Sequence, residues 1–116
     1  MNREEVALLA RELRRNRGTL TALGDEVRQH LMLAMLESGR CEGLRVGEIA
    51  ARINLSWPAA SHHLRILRDA GIVSMRREGT RNYYYFDAAE SLDGLIQTLV
   101  HARALLRTLP DRSGEE

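Results

Sequence analysis

The run Asn54-Leu55-Ser56-Trp57-Pro58 constrains this chain more than any other. It separates two segments of helical period and leaves room only for a tight turn. Before it, Val46, Ile49, Ala50 and Ile53 recur at the spacing of one helix face. After it, Ala60, Leu64 and Leu67 fall at i, i+4 and i+7. Asn54 suits the turn because its short polar side chain tolerates the left-handed region. Ser56 is a good N-cap, and Pro58 sits in the first turn, where a missing N–H costs nothing. The second helix runs to about Ala70 and ends at Gly71, where the period changes from helical to alternating. Ile72–Arg77 and Arg81–Phe86 read as strands, with Glu78-Gly79-Thr80 as the hairpin turn between them.

Helices flank this unit on both sides. Val6, Leu9, Ala10 and Leu13 mark an amphipathic first helix, which Gly18 is expected to end and Thr19 to cap into a short continuation through Leu23. Asp25 is the expected N-cap of a helix from Glu26 to about Ser38, with Val27, Leu31 and Met35 inward and Leu36 beside them. Ser38-Gly39-Arg40 closes that helix, and Cys41-Glu42-Gly43 reads as loop. Ser91 is expected to cap a last helix from Leu92 to Leu109, stopped by Pro110, with Asp111–Glu116 a frayed polar tail. The expected fold class is mainly α with a small antiparallel β-hairpin, a winged helix-turn-helix domain over residues 1–110.

Length and composition agree with that outline. A chain of 116 residues with 44% hydrophobic content builds one core. Arg, Glu or His breaks every apolar stretch before it could cross a membrane, and Met1–Glu5 lacks the apolar region of a signal peptide. One cysteine, Cys41, excludes an internal disulfide framework, so the expected location is a reducing cytoplasm.

The net charge of +1 is informative only when divided along the chain. Ser56 to Phe86 holds Arg65, Arg68, Arg76, Arg77 and Arg81 against Asp69 and Glu78, a local balance of +3. With Ala60, Leu64 and Leu67 turned to the core, Ser61, Arg65 and Arg68 occupy the other side of the helix, with His62 adjoining. Such groups donate to guanine edges or phosphate oxygens when a helix enters the major groove of B-DNA. Arg76, Arg77 and Arg81 surround the hairpin tip, placed to reach flanking phosphates or the minor groove. A charged helix face alone is most simply a solvated surface. Joined in this order to a tight turn and a basic hairpin, it points to double-stranded DNA as the partner.

The stretch Ser61-His62-His63-Leu64, the helix exit Leu67-Arg68-Asp69-Ala70-Gly71-Ile72-Val73 and the Arg77-Glu78-Gly79 hairpin strongly resemble the ArsR family of bacterial winged-helix repressors. Upstream, Ala22-Leu23-Gly24-Asp25-Glu26-Val27-Arg28 resembles the family's entry into its second helix. The likeness covers residues 20 to 86. It implies a homodimeric repressor joined through its first and last helices, with Ser56, Ser61, His62, Arg65, Arg76, Arg77 and Arg81 on DNA and a palindromic operator. Independently, the last helix is apolar on more than one stripe: Leu92, Leu95, Leu99, Ala102, Leu106 and Leu109, then Ile96, Val100 and Leu105. A lone surface helix needs only one stripe, so a partner helix from a second copy is expected.

Many relatives sense soft metals, and this chain departs from their ligand sets. The thiolate pair of the resemblance falls on Arg45 and Gly47, neither of which can ligate. Asp93 and His101 are eight residues apart, about 12 Å along a helix, too far to share one ion within a chain. His62 and His63 point about 100° apart and cannot chelate together. No metal or cofactor is therefore expected, and a small-molecule effector is left unidentified. No nucleophile–base or phosphate-loop spacing suggests an enzyme. The competing reading is a winged-helix module that docks an acidic protein through the same basic face.

Overall fold

The computed structural model describes residues 2–111, 113 and 114. Six helices and one hairpin follow in order: α1 Arg3–Arg15, α2 Arg17–Leu23, α3 Glu26–Glu37, α4 Val46–Arg52, α5 Trp57–Asp69, β1 Val73–Glu78, β2 Arg81–Phe86 and α6 Ala89–Leu106. The winged helix-turn-helix expected from the sequence is α4, α5 and the antiparallel β1–β2 pair. Among the described residues no helix is long and apolar enough to cross a membrane.

The core forms where α3, α4, α5 and the start of β1 converge. Leu31, Leu44, Ile49, Ala60, Leu64 and Leu67 are fully buried there, with Met35, Val46, Ala50, Ile72 and Val73 around them. Asn54 takes the left-handed conformation, φ 53°, as the turn requires. Ser56 caps α5 by accepting the Ala59 N–H at 3.2 Å. Gly71 leaves α5 at φ 74°, and a Cβ there would meet Ser91 Oγ at 2.5 Å, so glycine is required twice over. In the hairpin, Glu78 pairs with Arg81 across a two-residue loop opened by Gly79 at φ 60°. Leu44 adds an isolated bridge to Tyr84 through bonds of 2.9 and 2.8 Å, tying the loop before α4 to the wing.

Several boundaries differ from expectation, each for a tertiary reason. Gly18 lies inside α2, and the break falls at Asn16, whose Nδ2 donates to Glu12 O at 2.9 Å and to Thr98 Oγ1 at 2.8 Å. Thr19, expected as a cap, is buried within α2. Ser91 does not cap α6, which starts at Ala89; its Oγ donates to the carbonyls of Ala70 and Gly71, orphan acceptors at the end of α5. α6 ends at Leu106, short of Leu109. Val27 and Leu36, expected inward, are exposed, and Arg28 takes an interior place instead. In the expected tail, Arg112, Glu115 and Glu116 lie outside the described residues, while Asp111 accepts two bonds from Ser113.

α1 and α6 run antiparallel beside the core, joined by the Asn16–Thr98 bond and by Glu12 to His101 Nδ1 at 3.1 Å. α1 buries no residue at all. The radius of gyration is 18.2 Å, well beyond the roughly 13 Å of a compact chain of this length. An element with no buried side chain contributes little to the stability of one protomer; the α3–α5 core carries it. Leu64→Ala should therefore cost about 3 kcal/mol. Urea unfolding at fixed protein concentration measures it, and a cost below about 1 kcal/mol would place the core elsewhere.

Candidate nucleic-acid interface

α5 is held in one rotation by the burial of Ala60, Leu64 and Leu67. That leaves His62, Arg65 and Arg68 exposed and Ser61 half-buried. Ser61, Arg65 and Arg68 line a cleft of about 520 Å³ together with Met75, Asn82 and Tyr84 of the hairpin. Helix and wing thus present one continuous surface. His62 stands outside that cleft. Arg68 leans across it, its Nη1 3.7 Å from Met75 Sδ.

The pleat divides the three wing arginines. Arg77 pairs with Asn82 and so shares the face of Met75 and Tyr84, toward α5. Its Nε donates to Gly79 O at 3.0 Å, which orients the side chain at the tip. Arg76 pairs with Tyr83 on the other face and lies over that ring, 4.6 Å from its centroid, with Glu78 Oε1 3.2 Å from its Nη1. Its guanidinium is engaged within the hairpin, away from the cleft. Arg81 is exposed and lines a neighbouring groove.

That groove, of about 700 Å³, runs between the start of α4, the start of α5 and β2, and includes Arg45, Trp57, Ser61, Arg81 and Asn82. Trp57 is 60% exposed at the head of α5, with Gly47 beside its indole. Sequence reasoning placed Trp57 only as a first-turn residue, weighed Arg45 only as a metal-ligand position, and did not single out Asn82. A bulky aromatic at the first position of the helix was the available signal. The α4 end of the groove is braced by Glu48. Its Oε1 accepts the Arg45 N–H at 3.0 Å and its Oε2 pairs with Arg40, which together hold its carboxyl below the usual range, the backbone bond first.

Behind α5 sits Arg28, which sequence reasoning quoted only within the entry to α3 and gave no role of its own. Arg28 is buried, its Nε donating to Ala22 O and its Nη2 to Thr21 O, both at 2.9 Å, and its Nη1 lying 3.3 Å from His63 Nδ1. It joins the end of α2 to α5. His63 is half-buried beside Arg28, while His62 is exposed.

Cys41 is exposed at the rim of an apolar cavity of about 270 Å³ beside Met35, Leu44 and Phe86. His101 is bonded to Glu12. Among the described residues no group of three or more His, Cys, Asp or Glu side chains could hold a metal ion.

Comparison with known proteins gives the same outline. The model of the bacterial regulatory proteins of the arsR family matches residues 25–75. An uncharacterized HTH-type transcriptional regulator of Methanocaldococcus jannaschii is 41% identical over 80 residues, covering 67% of this chain and 86% of that relative. The transcriptional repressor SdpR of Bacillus subtilis is 34% identical over 74 residues, covering 64% and 78%. A solved ArsR family transcriptional regulator superposes with a TM-score of 0.64 over 81% of this chain and 92% of its own; at 20% identity it speaks for the fold.

The exposed indole offers a direct check on the groove. Trp57 is the sole tryptophan of the sequence. Its emission should shift or quench when duplex DNA binds, since the ring would exchange water for the sugar–phosphate backbone or a base edge. Emission unchanged at saturating duplex would place the groove off the DNA.

Proposed function

This chain belongs to the ArsR family of bacterial winged-helix transcriptional regulators, and from that premise we propose that it is a sequence-specific DNA-binding repressor acting as a homodimer on a palindromic operator. The observation that carries the reading is the continuous surface of Ser61, Arg65 and Arg68 with the wing. On it, α5 lies in the major groove with Ser61, His62, Arg65 and Arg68 toward base edges and phosphates. Ser56 contacts the backbone from the α5 cap. Arg77 and Arg81 reach phosphates beside the helix. Arg76, turned onto Tyr83, reaches DNA only by leaving the ring, so it contributes least of the three. The relatives are named as transcriptional regulators, and docking to an acidic protein has no comparable support.

The reading of dimerisation through α1 and α6 is supported by what these helices leave uncovered. Val6, Leu8 and Leu13 of α1 and Ile96, Leu99, Val100 and Leu106 of α6 are all exposed, in helices that project from the core. A run of this kind on a soluble regulator is costly unless a second copy covers it. Two-fold symmetry then sets the two α5 helices in successive major grooves.

Two substitutions separate the roles in DNA binding. Arg65→Ala should cost about 1–3 kcal/mol and relax preference at one operator position, whereas Arg77→Ala should weaken all sequences alike and reduce the salt slope by about 1. Titration of labelled duplexes across a salt series reads both. Equal affinity of the unaltered protein for selected and scrambled duplexes would remove the sequence-specific claim.

The dimer has its own check. Leu99→Glu should yield a monomer in sedimentation equilibrium. A protein that sediments as a monomer without the substitution would contradict the proposed interface.

A further inference from the structure

We propose that Arg28 is a positioning residue for DNA recognition, and that α5 is held in its binding pose only while His63 carries no charge. The inference rests on the reading of α5 as the DNA-binding helix. It starts from donor chemistry. A guanidinium has five N–H donors and no acceptor, so the contact between Arg28 Nη1 and His63 Nδ1 at 3.3 Å requires an unprotonated Nδ1. The ring proton therefore sits on Nε2, and the imidazole is neutral. Arg28 cannot turn aside to relax the contact, because its other nitrogens hold Thr21 O and Ala22 O at the end of α2. Protonation of His63 would replace an acceptor by a donor and place two cations face to face.

The charges acting on His63 come from α3, its N-cap and α5 itself. Asp25, the N-cap of α3, is 3.9 Å from Arg28 Nη1 and favours the charged ring, whereas Arg28 and His62 oppose it. Asp25 also accepts the Arg28 backbone N–H at 3.0 Å, so it is committed to the same junction. Burial is the largest influence and pushes the His63 pKa below its ordinary 6.5. A histidine with a depressed pKa supports the native arrangement above its unfolded pKa, and that support is lost as pH falls through the folded one. His63 lies next to His62 and two residues from Ser61 and Arg65. A displacement at Arg28 therefore moves the base-reading side of the same helix.

The test uses the full chain and the tightest duplex selected from a random pool at pH 7.5, at constant ionic strength. His62→Gln removes the neighbouring histidine, so that His63 is the one histidine left in α5. In that background affinity should fall about three- to tenfold between pH 7.5 and pH 5.5, within the tenfold per unit that one linked proton allows. Adding His63→Gln, whose amide oxygen still accepts from Arg28, should abolish the decline. An undiminished decline in the double variant overturns the proposal. Histidine ring 15N spectra of the unaltered protein give a second measurement, independent of how the variants fold. They should show Nδ1 unprotonated at pH 7.5 and a lower His63 pKa in the DNA complex than in the free protein. A protonated Nδ1, or one pKa in both states, also overturns it. Absence of any duplex selected above background would refute the DNA-binding reading instead, leaving the nitrogen spectra to report on the Arg28–His63 bond alone.

Discussion

Three side chains decide what this protein can do with its surface. Burial of Ala60, Leu64 and Leu67 fixes the rotation of α5 about its own axis. Since successive residues step about 100° around a helix, fixing those three also fixes where Ser61, Arg65 and Arg68 emerge. No charged group had to be placed separately. Each fully buried leucine contributes on the order of 2 kcal/mol, more than any exposed ion pair in the hairpin could. Apolar packing thus sets the geometry, and the arginines are carried with it.

The ends of α5 are secured by different means. Ser56 caps the start, and Ser91 reaches from α6 to the two carbonyls at its exit. Between them Arg28 ties the flank of the helix to the end of α2. A buried guanidinium is costly without partners, and here each of its three nitrogens has one, two carbonyls and an imidazole nitrogen. The contact joins α5 to α3, whereas His62, one residue away, is exposed. The wing is joined on the opposite side, through Leu44 and Tyr84.

Much of this was legible in the sequence because the signals are local. Asn54 at positive φ, the Ser56 cap, the buried triad and the glycine-opened hairpin each depend on neighbours within a few residues. What escaped depends on residues far apart. The helix break moved from Gly18 to Asn16 because Thr98 accepts a bond there, 82 residues away. Arg28 reads as one more charged position on an amphipathic helix until α2 and α5 fold around it. The wing arginines look alike in the sequence, and the cross-strand register turned Arg76 onto Tyr83 and Arg77 toward α5. Trp57 was visible as a residue type but not as an exposed surface, since exposure is a property of the assembled core.

Backbone amide shifts during titration with a selected duplex report most directly which surface meets the DNA. The largest changes should fall on Ser56 to Arg68 and on Arg77 to Asn82, with the core strand positions little affected. Changes concentrated on α1 and α6, with α5 unmoved, would contradict this placement.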